Sequence, residues 1–179
     1  MTSLSRRRFL TIAAASATLP AASLAGTGSA AIWRGRAMGA HVSMQITGLS
    51  EASATPVFAA VEAELLRLEN IFSLYRTTSE ISRLNRDGVL AAPSHELLEV
   101  LSLSDRLNRA SDGAFDPSIQ PLWLAMAKGE TGAALDTARQ AVGWQHLRFD
   151  TAEVRFQQAG QGLTLNGIAQ GYVTDRITA

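Results

Sequence analysis

Two long stretches with apolar residues at helical spacing, set between two groups of strand-like residues, constrain this fold most. The first follows Thr55 and Pro56, which are typical of a helix cap and first turn. The second spans residues 94–110 and precedes Gly113, which suits a helix end. The predicted core-facing positions are Val57, Phe58, Val61, Leu65, Leu68 and Phe72, then Leu97, Leu98, Leu101 and Leu107.

Strand patterns lie on either side of these helices. Residues 31–47 alternate between apolar and polar and predict two strands joined at Met38-Gly39-Ala40. Residues 146–156 predict a hairpin, residues 162–165 a last strand and residues 133–142 a short helix. Because the strands are grouped rather than alternating with helices, the predicted fold is α+β, with antiparallel strands and segregated helices.

Two connecting segments carry residues that suit a ligand. Residues 73–85 lose the helical period and predict a loop, in which Tyr75 could stack on a planar ring. Residues 112–123 (DGAFDPSIQPLW) contain prolines that hold the Ala-Phe-Asp triplet at 114–116 in one geometry. The alternatives are a surface aromatic residue and an ordinary proline-containing turn, and each segment taken alone favours its structural alternative.

A third candidate follows the predicted last strand. Asn166 and Gly167 open a helix that runs through Asp175. A glycine-bearing turn from strand to helix exposes backbone amides at the positive end of the helix dipole, which suits a phosphate. The segment has neither the spacing nor the lysine of a P-loop, so a tight strand-helix connection is the alternative.

The first 30 residues resemble a twin-arginine signal peptide. Ser5-Arg6-Arg7-Arg8-Phe9-Leu10 precedes a weakly apolar run with small residues around Ala25, where a peptidase could cut. A membrane anchor is the weaker alternative, because Pro20 and scattered Ser and Thr leave too short an apolar stretch. The sequence therefore predicts folded export to the periplasm by the twin-arginine machinery.

Charge and composition exclude some classes of partner and site. The chain has 16 basic and 16 acidic residues, and loss of the signal removes three arginines and no acid, which leaves 13 basic against 16 acidic residues. We therefore expect no nucleic-acid partner. The chain has no cysteine, and its three histidines lie too far apart in sequence for metal-ligand spacing.

Four segments together, in order, resemble the ApbE family, the FAD:protein FMN transferases. They are Met38-Gly39-Ala40, SLYRTTSEISRLN at 73–85, DGAFDPSIQPLW at 112–123 and LTLNGIAQGYVTD at 163–175. The resemblance implies a periplasmic enzyme that binds FAD and Mg²⁺, transfers FMN to a Thr or Ser hydroxyl of an acceptor flavoprotein, and releases AMP. By position it places Met38, Tyr75, Ala114, Phe115, Asp116, Thr164 and Gln170 on the flavin dinucleotide, and the Gly167 carbonyl on the metal.

The signal peptide and the Gln-Gly-Tyr ending at 170–172 resemble the branch of the family that serves nitrous oxide reduction. That resemblance implies a membrane-bound regulator of nitrous oxide reduction as the acceptor. Three residues depart from the family pattern: Ala40 stands for Thr, Thr164 for Asp and Gln170 for Lys. The last two substitutions remove charges, so we expect weaker electrostatic anchoring of the dinucleotide.

Because the family continues beyond the length of this chain, residues 31–179 are expected to be the N-terminal portion of an ApbE-like domain. The remaining metal ligands are then expected elsewhere, and residues 1–179 alone are expected to show no FMN transfer. Two other functions compete with the transferase. One is a non-catalytic flavin-binding accessory protein of a reductase assembly system, and the other is an exported interaction domain without a ligand.

Overall fold

The structure is a computed structural model that describes residues 29–178, so almost all of the predicted signal segment lies outside the described residues. Short 3₁₀ turns at Pro117–Ile119 and Trp144–His146 interrupt the longer elements. In chain order, the strands and α-helices are β1 (Ala30–Ala37), β2 (Ala40–Thr47), α1 (Glu51–Phe72), α2 (Glu80–Asp87), β3 (Val89–Ala91), α3 (His95–Ala110), α4 (Gln120–Ala127), α5 (Ala133–Gln140), β4 (Leu147–Phe149), β5 (Glu153–Phe156) and α6 (Asn166–Thr178).

The strands form two separate antiparallel sheets, which confirms the predicted α+β class. One is the β1–β2 hairpin, and the other has the order β3-β5-β4. The prediction of a last strand at 162–165 is wrong, because this segment pairs with no strand although its backbone is hydrogen-bonded. The sequence pattern did not predict β3, which has only three residues and follows directly on a helix stop at Gly88.

The β1–β2 turn has the predicted position and an unusual backbone. Ala37 pairs with Ala40, so Met38 and Gly39 alone form the loop. Both have positive φ, 52° at Met38 and 80° at Gly39. This is the pattern of a type I′ turn, whose twist matches that of the flanking strands. Glycine adopts it freely, whereas methionine is strained there.

Helix α1 begins earlier than predicted. Ser50 is the cap, and its hydroxyl accepts a hydrogen bond from the Ser53 amide at 3.2 Å. Thr55, the predicted cap, instead lies inside the helix and donates its hydroxyl to the Glu51 carbonyl at 2.9 Å. Pro56 lies in the second turn of the helix on an exposed side, where its missing N–H leaves the Ala52 carbonyl without an intrahelical donor.

Only the first half of the predicted loop at 73–85 is a loop. Its second half is α2, capped by the buried Ser79, whose hydroxyl accepts from the Ser82 amide at 3.2 Å. Ile81 and Leu84 are fully buried. Small polar residues made this segment resemble a loop in the sequence. Ser79 instead caps the helix, and Ser82 donates its hydroxyl to the Ser73 carbonyl, so neither residue breaks the element.

The core lies where α1, α2, α3 and α6 meet the three-stranded sheet. Its largest fully buried side chains include Phe72, Leu68 and Leu97. Val57 and Leu107, predicted as core, are 41% and 39% exposed, because they lie at the edges of their helical stripes. Among residues 29–178, the structure has no helix with the length and apolar character needed to cross a membrane.

Helix α6 is fixed against the core by Tyr172. Its ring meets Phe72 edge-on at a centroid distance of 5.7 Å, and its hydroxyl donates to the Glu99 carboxylate on α3. Burial, together with the hydrogen bond to Glu99, raises the pKa of Tyr172 to about 12. The hydroxyl therefore stays protonated at neutral pH and keeps α6 tied to α3.

Candidate functional site

The tip of the β1–β2 hairpin supports the Tyr75 ring. A Cβ added at Gly39 would lie 2.6 Å from Tyr75 Cε2, so the ring rests directly on the glycine backbone. The Tyr75 residue is nevertheless 73% exposed, because its other face is open to solvent. We call Tyr75 and Gly39 together the stacking platform. A ring supported on one face and open on the other is suited to stacking on a planar ligand.

One carboxylate ties the two parts of the stacking platform together. Glu69, in the last turn of α1, accepts the Met38 amide through Oε1 at 2.8 Å. Its Oε2 accepts Arg76 Nε at 3.1 Å and Arg76 Nη2 at 3.0 Å. Nothing in the sequence marked Glu69, because it is one of several charged residues, with Glu62, Glu64 and Arg67, on the polar side of this helix.

A largely apolar cleft of about 540 Å³ opens beside the platform, between the hairpin, α1 and α6. Met38 and Gln170, two predicted site residues, both line it. The apolar part of the lining includes Met44, Leu65 and Val173. The size and character of the cleft are those of a small-molecule site with few polar groups.

The Ala-Phe-Asp triplet at 114–116 is held in place, as predicted. Asn108 donates its side-chain amide to the Phe115 carbonyl at 2.8 Å, and the Ser111 hydroxyl accepts the Phe115 amide at 2.9 Å. Asp116 has extended φ and ψ before Pro117, as expected. Gln120, before Pro121, is instead helical, so Pro121 does not impose an extended residue before it.

The Asp116 carboxylate faces inward. Oδ1 accepts both the amide and the hydroxyl of Ser118, at 2.8 and 2.6 Å, and Oδ2 accepts the Trp144 amide at 3.3 Å. Ser118 is buried and its hydroxyl oxygen accepts the Gly143 amide at 2.7 Å. Asp116 and Ser118 therefore fix this loop to the segment around Trp144. A contact of Asp116 with a ligand stays a prediction.

The segment before α6 is positioned from both sides. The Asn85 side chain donates to the Leu163 carbonyl at 2.8 Å and accepts the Leu163 amide at 2.7 Å, as a neighbouring strand would. The Thr164 amide donates to the Pro117 carbonyl at 2.9 Å. The Thr164 hydroxyl accepts the Asn166 amide at 3.4 Å, which gives Thr164 a capping contact with α6.

These contacts bring most of the predicted site residues together around the start of α6. A Cβ at Gly167 would lie 3.7 Å from the Phe115 ring, which places the triplet beside the first turn. Gln170 follows Gly167 by three residues and thus shares its side of the helix. Gln170 also faces the cleft that Met38 lines, so α6 links the triplet to the hairpin. Ala114 is exposed nearby.

The described residues do not by themselves fit a divalent metal. Within 29–178 no three His, Asp or Glu side chains are grouped closely enough to hold one. The Gly167 carbonyl belongs to the first turn of α6, where a carbonyl already accepts an intrahelical amide. One such oxygen is far from the roughly six that Mg²⁺ requires.

Solved structures share this fold. The chain superimposes on the flavin transferase ApbE from Vibrio cholerae with a TM-score of 0.76 and 23% identity, covering 84% of this chain and 52% of that one. It matches the apo form of the flavinyl transferase ApbE from Pseudomonas stutzeri with a TM-score of 0.70 and 25% identity, covering 84% and 52%. These matches place the structure among α+β flavin transferase folds.

The sequence comparisons agree. The ApbE family model matches residues 38–179, and the chain belongs to the ApbE family. It is 30% identical to the FAD:protein FMN transferase of Chlamydia pneumoniae over 139 residues, which are 72% of this chain and 44% of the relative. It is 26% identical to that of Klebsiella pneumoniae over 90% of this chain and 49% of the relative. The chain thus spans about half the length of these relatives.

Proposed function

We propose that this chain is the flavin-binding part of an FAD:protein FMN transferase. The observation that carries the proposal is the stacking platform, whose Tyr75 ring rests on Gly39 and is 73% exposed. Met38, next to Gly39, lines an apolar cleft of about 540 Å³. An isoalloxazine or adenine ring suits such a surface, because stacking on an aromatic residue needs only a free π face. The names of its relatives, FAD:protein FMN transferases, support the choice of ligand.

The start of α6 supplies the second part of the site. Gly167, in its first turn, lies beside Phe115, and the positive end of the helix dipole favours a pyrophosphate there. Gln170 stands one turn further, at the cleft, where its amide group can donate to a phosphate or ribose oxygen. The dinucleotide would then run from the platform along the cleft to the triplet at 114–116.

The reaction proposed is phosphoryl transfer. The acceptor hydroxyl oxygen forms a bond to the phosphorus of the FMN half, the bond from that phosphorus to the bridging oxygen breaks, AMP leaves with that oxygen, and the hydroxyl proton passes to solvent. Such a reaction depends on holding the acceptor in line with the leaving oxygen. In this chain, the platform and the α6 start would orient the donor.

Mg²⁺ belongs to the proposal through the family resemblance, with the Gly167 carbonyl as one ligand. When bound, it would neutralise charge on the pyrophosphate. Residues 29–178 supply no group of three His, Asp or Glu side chains that could complete its coordination.

The branch of the family, the cellular location and the acceptor are also proposals. The twin-arginine-like signal at Arg6-Arg7 and the Gln-Gly-Tyr ending at 170–172 support a NosX-type protein of the periplasm. Its acceptor would be a membrane-bound, periplasm-facing flavoprotein that regulates nitrous oxide reduction. A flavoprotein acceptor follows from the proposed activity itself.

The transfer reaction is tested with a chain that extends residues 31–179 to the length of the family, because residues 1–179 alone are expected to show no FMN transfer. This chain is incubated with FAD, Mg²⁺ and an acceptor domain. The expected result is a fluorescent flavin that stays on the acceptor after denaturation, together with one AMP per adduct. Tight binding of FAD without adduct or AMP would contradict transfer and favour the accessory flavin-binding protein. A chain that binds no FAD would overturn both functions.

Replacing Tyr75 with alanine is expected to weaken FAD binding by about ten- to a hundredfold, since stacking on one aromatic ring contributes about 1–3 kcal/mol. Isothermal titration of the purified chain with FAD measures the change. Leu66→Ala, on an exposed position of α1 away from the cleft, is the control and is expected to leave affinity unchanged. Equal affinities of the Tyr75 variant and wild type would remove Tyr75 from the site.

Export is tested by changing Arg6 and Arg7 to lysine. We expect the double variant to stay in the cytoplasm, because twin-arginine translocation requires the arginine pair while lysine preserves the charge. Cell fractionation and immunoblotting measure the periplasmic fraction, and Arg8→Lys serves as the control. Undiminished periplasmic accumulation of the double variant would contradict the proposed route.

A further inference from the structure

We infer that Glu69 is a positioning residue that sets the stacking platform for flavin. The choice of flavin as the ligand rests on the proposed function, whereas the contacts of Glu69 do not depend on it. Glu69 touches neither the cleft nor the Tyr75 ring among the described contacts. It acts instead on the two chain segments that carry the platform.

Each carboxylate oxygen of Glu69 serves one of these segments. Oε1 accepts the Met38 amide at 2.8 Å and so holds the residue next to Gly39. Oε2 accepts both nitrogens of Arg76, at 3.1 and 3.0 Å, and so holds the residue next to Tyr75. The ring and the backbone beneath it are thereby fixed to a single side chain.

The contact with Met38 is unusual for a hairpin. Met38 and Gly39 form a two-residue turn, so the Met38 amide has no partner in the β1–β2 pairing. Met38 also has a φ of 52°, a left-handed conformation that a methionine adopts at a cost. An acceptor aimed at this amide favours the strained turn and thereby keeps Gly39 under the ring.

The location of Glu69 argues against a general stabilising role. It lies in the last turn of α1, where the negative end of the helix dipole disfavours a carboxylate. Its ion pair joins side chains that are 18% and 40% exposed, and partly solvated pairs contribute little to stability. The bridge to the hairpin is what distinguishes it from other ion pairs of the same helix.

Glu64 provides a matched control. It lies on α1, is partly exposed, and pairs with Arg67 through two hydrogen bonds of 2.8 Å, but the hairpin is not among its partners. Its removal therefore reports the effect of losing an ion pair from α1 without disturbing the platform.

The experiment compares Glu69→Ala, Glu69→Gln and Glu64→Gln by NMR and by FAD titration. In the ligand-free wild type, the Gly39 α-proton resonances are expected to be shifted upfield by the Tyr75 ring, and Tyr75→Leu gives the unshifted reference. We expect Glu69→Ala to move these resonances toward the reference and to weaken FAD binding about tenfold, as loss of a charge-assisted contact would. Glu69→Gln is expected to give resonance shifts and an FAD affinity between those of wild type and Glu69→Ala, since its amide oxygen can still accept the Met38 amide.

The two readouts separate the inference from the proposed function. Unchanged Gly39 resonances in Glu69→Ala, or an equal change in Glu64→Gln, would overturn the positioning role whatever the flavin affinity. If wild type binds no FAD but Glu69→Ala still releases the ring from Gly39, the positioning role stands and the flavin function falls. Unchanged methyl resonances of Leu97 and Val100, which lie in the core, would verify that the Glu69→Ala variant is folded.

Discussion

Replacing Asn85 with alanine is expected to lower the free energy of unfolding by about 2–6 kcal/mol. The Asn85 side chain satisfies both the amide and the carbonyl of Leu163, at 2.7 and 2.8 Å, and Leu163 is fully buried. Alanine would leave two buried backbone groups without a partner, each costing about 1–3 kcal/mol. Urea denaturation followed by circular dichroism measures the change.

Asn70→Ala is the control for this variant. Asn70 is exposed on α1, and its side chain makes one long contact of 3.5 Å with Arg76, so its loss is expected to change stability by less than about 0.5 kcal/mol. Because Leu163 leads into α6, the Asn85 variant is also expected to bind FAD more weakly. A stability loss no larger than that of Asn70→Ala would show that water replaces the Asn85 contacts.

Replacing Gly39 with alanine is expected to weaken FAD binding by about ten- to a hundredfold, as complete loss of one stacking contact would. The new Cβ would lie 2.6 Å from the Tyr75 ring, which must then leave its support. Since the ring is exposed, it can swing into solvent at little steric cost. Stability is expected to fall by only about 1–2 kcal/mol, the cost of a left-handed conformation for alanine.

Gly48→Ala separates these two effects. Gly48 has nearly the same φ, 85° against 80°, but nothing lies within 4 Å of its added Cβ. We expect it to lose the same stability while FAD affinity stays at the wild-type value. Isothermal titration and thermal denaturation of both variants make the comparison. Equal losses of affinity in the two variants would attribute the effect to backbone strain and remove the platform from the binding site.

The surroundings of Asp116 show which features of the candidate site the sequence could predict. Pro117 restricts Asp116 to extended backbone by a local steric effect, so the sequence could predict that geometry. The two internal partners of Asp116, Ser118 and the Trp144 amide, differ in this respect. Ser118 is close in the chain, whereas Trp144 comes from 28 residues away and has no sequence signal.

The wrong predictions of where helices and strands lie also arose from contacts that local sequence does not show. Thr55 and Pro56 have the residue types of a helix start, but Ser50 takes the cap and lets the helix begin earlier. Residues 162–165 have a strand-like composition, yet a side chain, Asn85, occupies the place that a pairing strand would take. Local preference is a weak guide where a distant group satisfies the backbone.

The sequence by itself determined the α+β class, the hairpin turn at Met38-Gly39, the main helices and the ordered segments that resemble the ApbE family, because these depend on periodicity and on local backbone preference. Only the tertiary structure decided that Tyr75 rests on Gly39, that Glu69 holds both, and that Gln170 and Met38 share a cleft. Apart from the pairing of Glu69 with Arg76, which are seven residues apart, these contacts join residues more than 30 positions apart. Such pairings are set by how the elements pack, which no local pattern encodes.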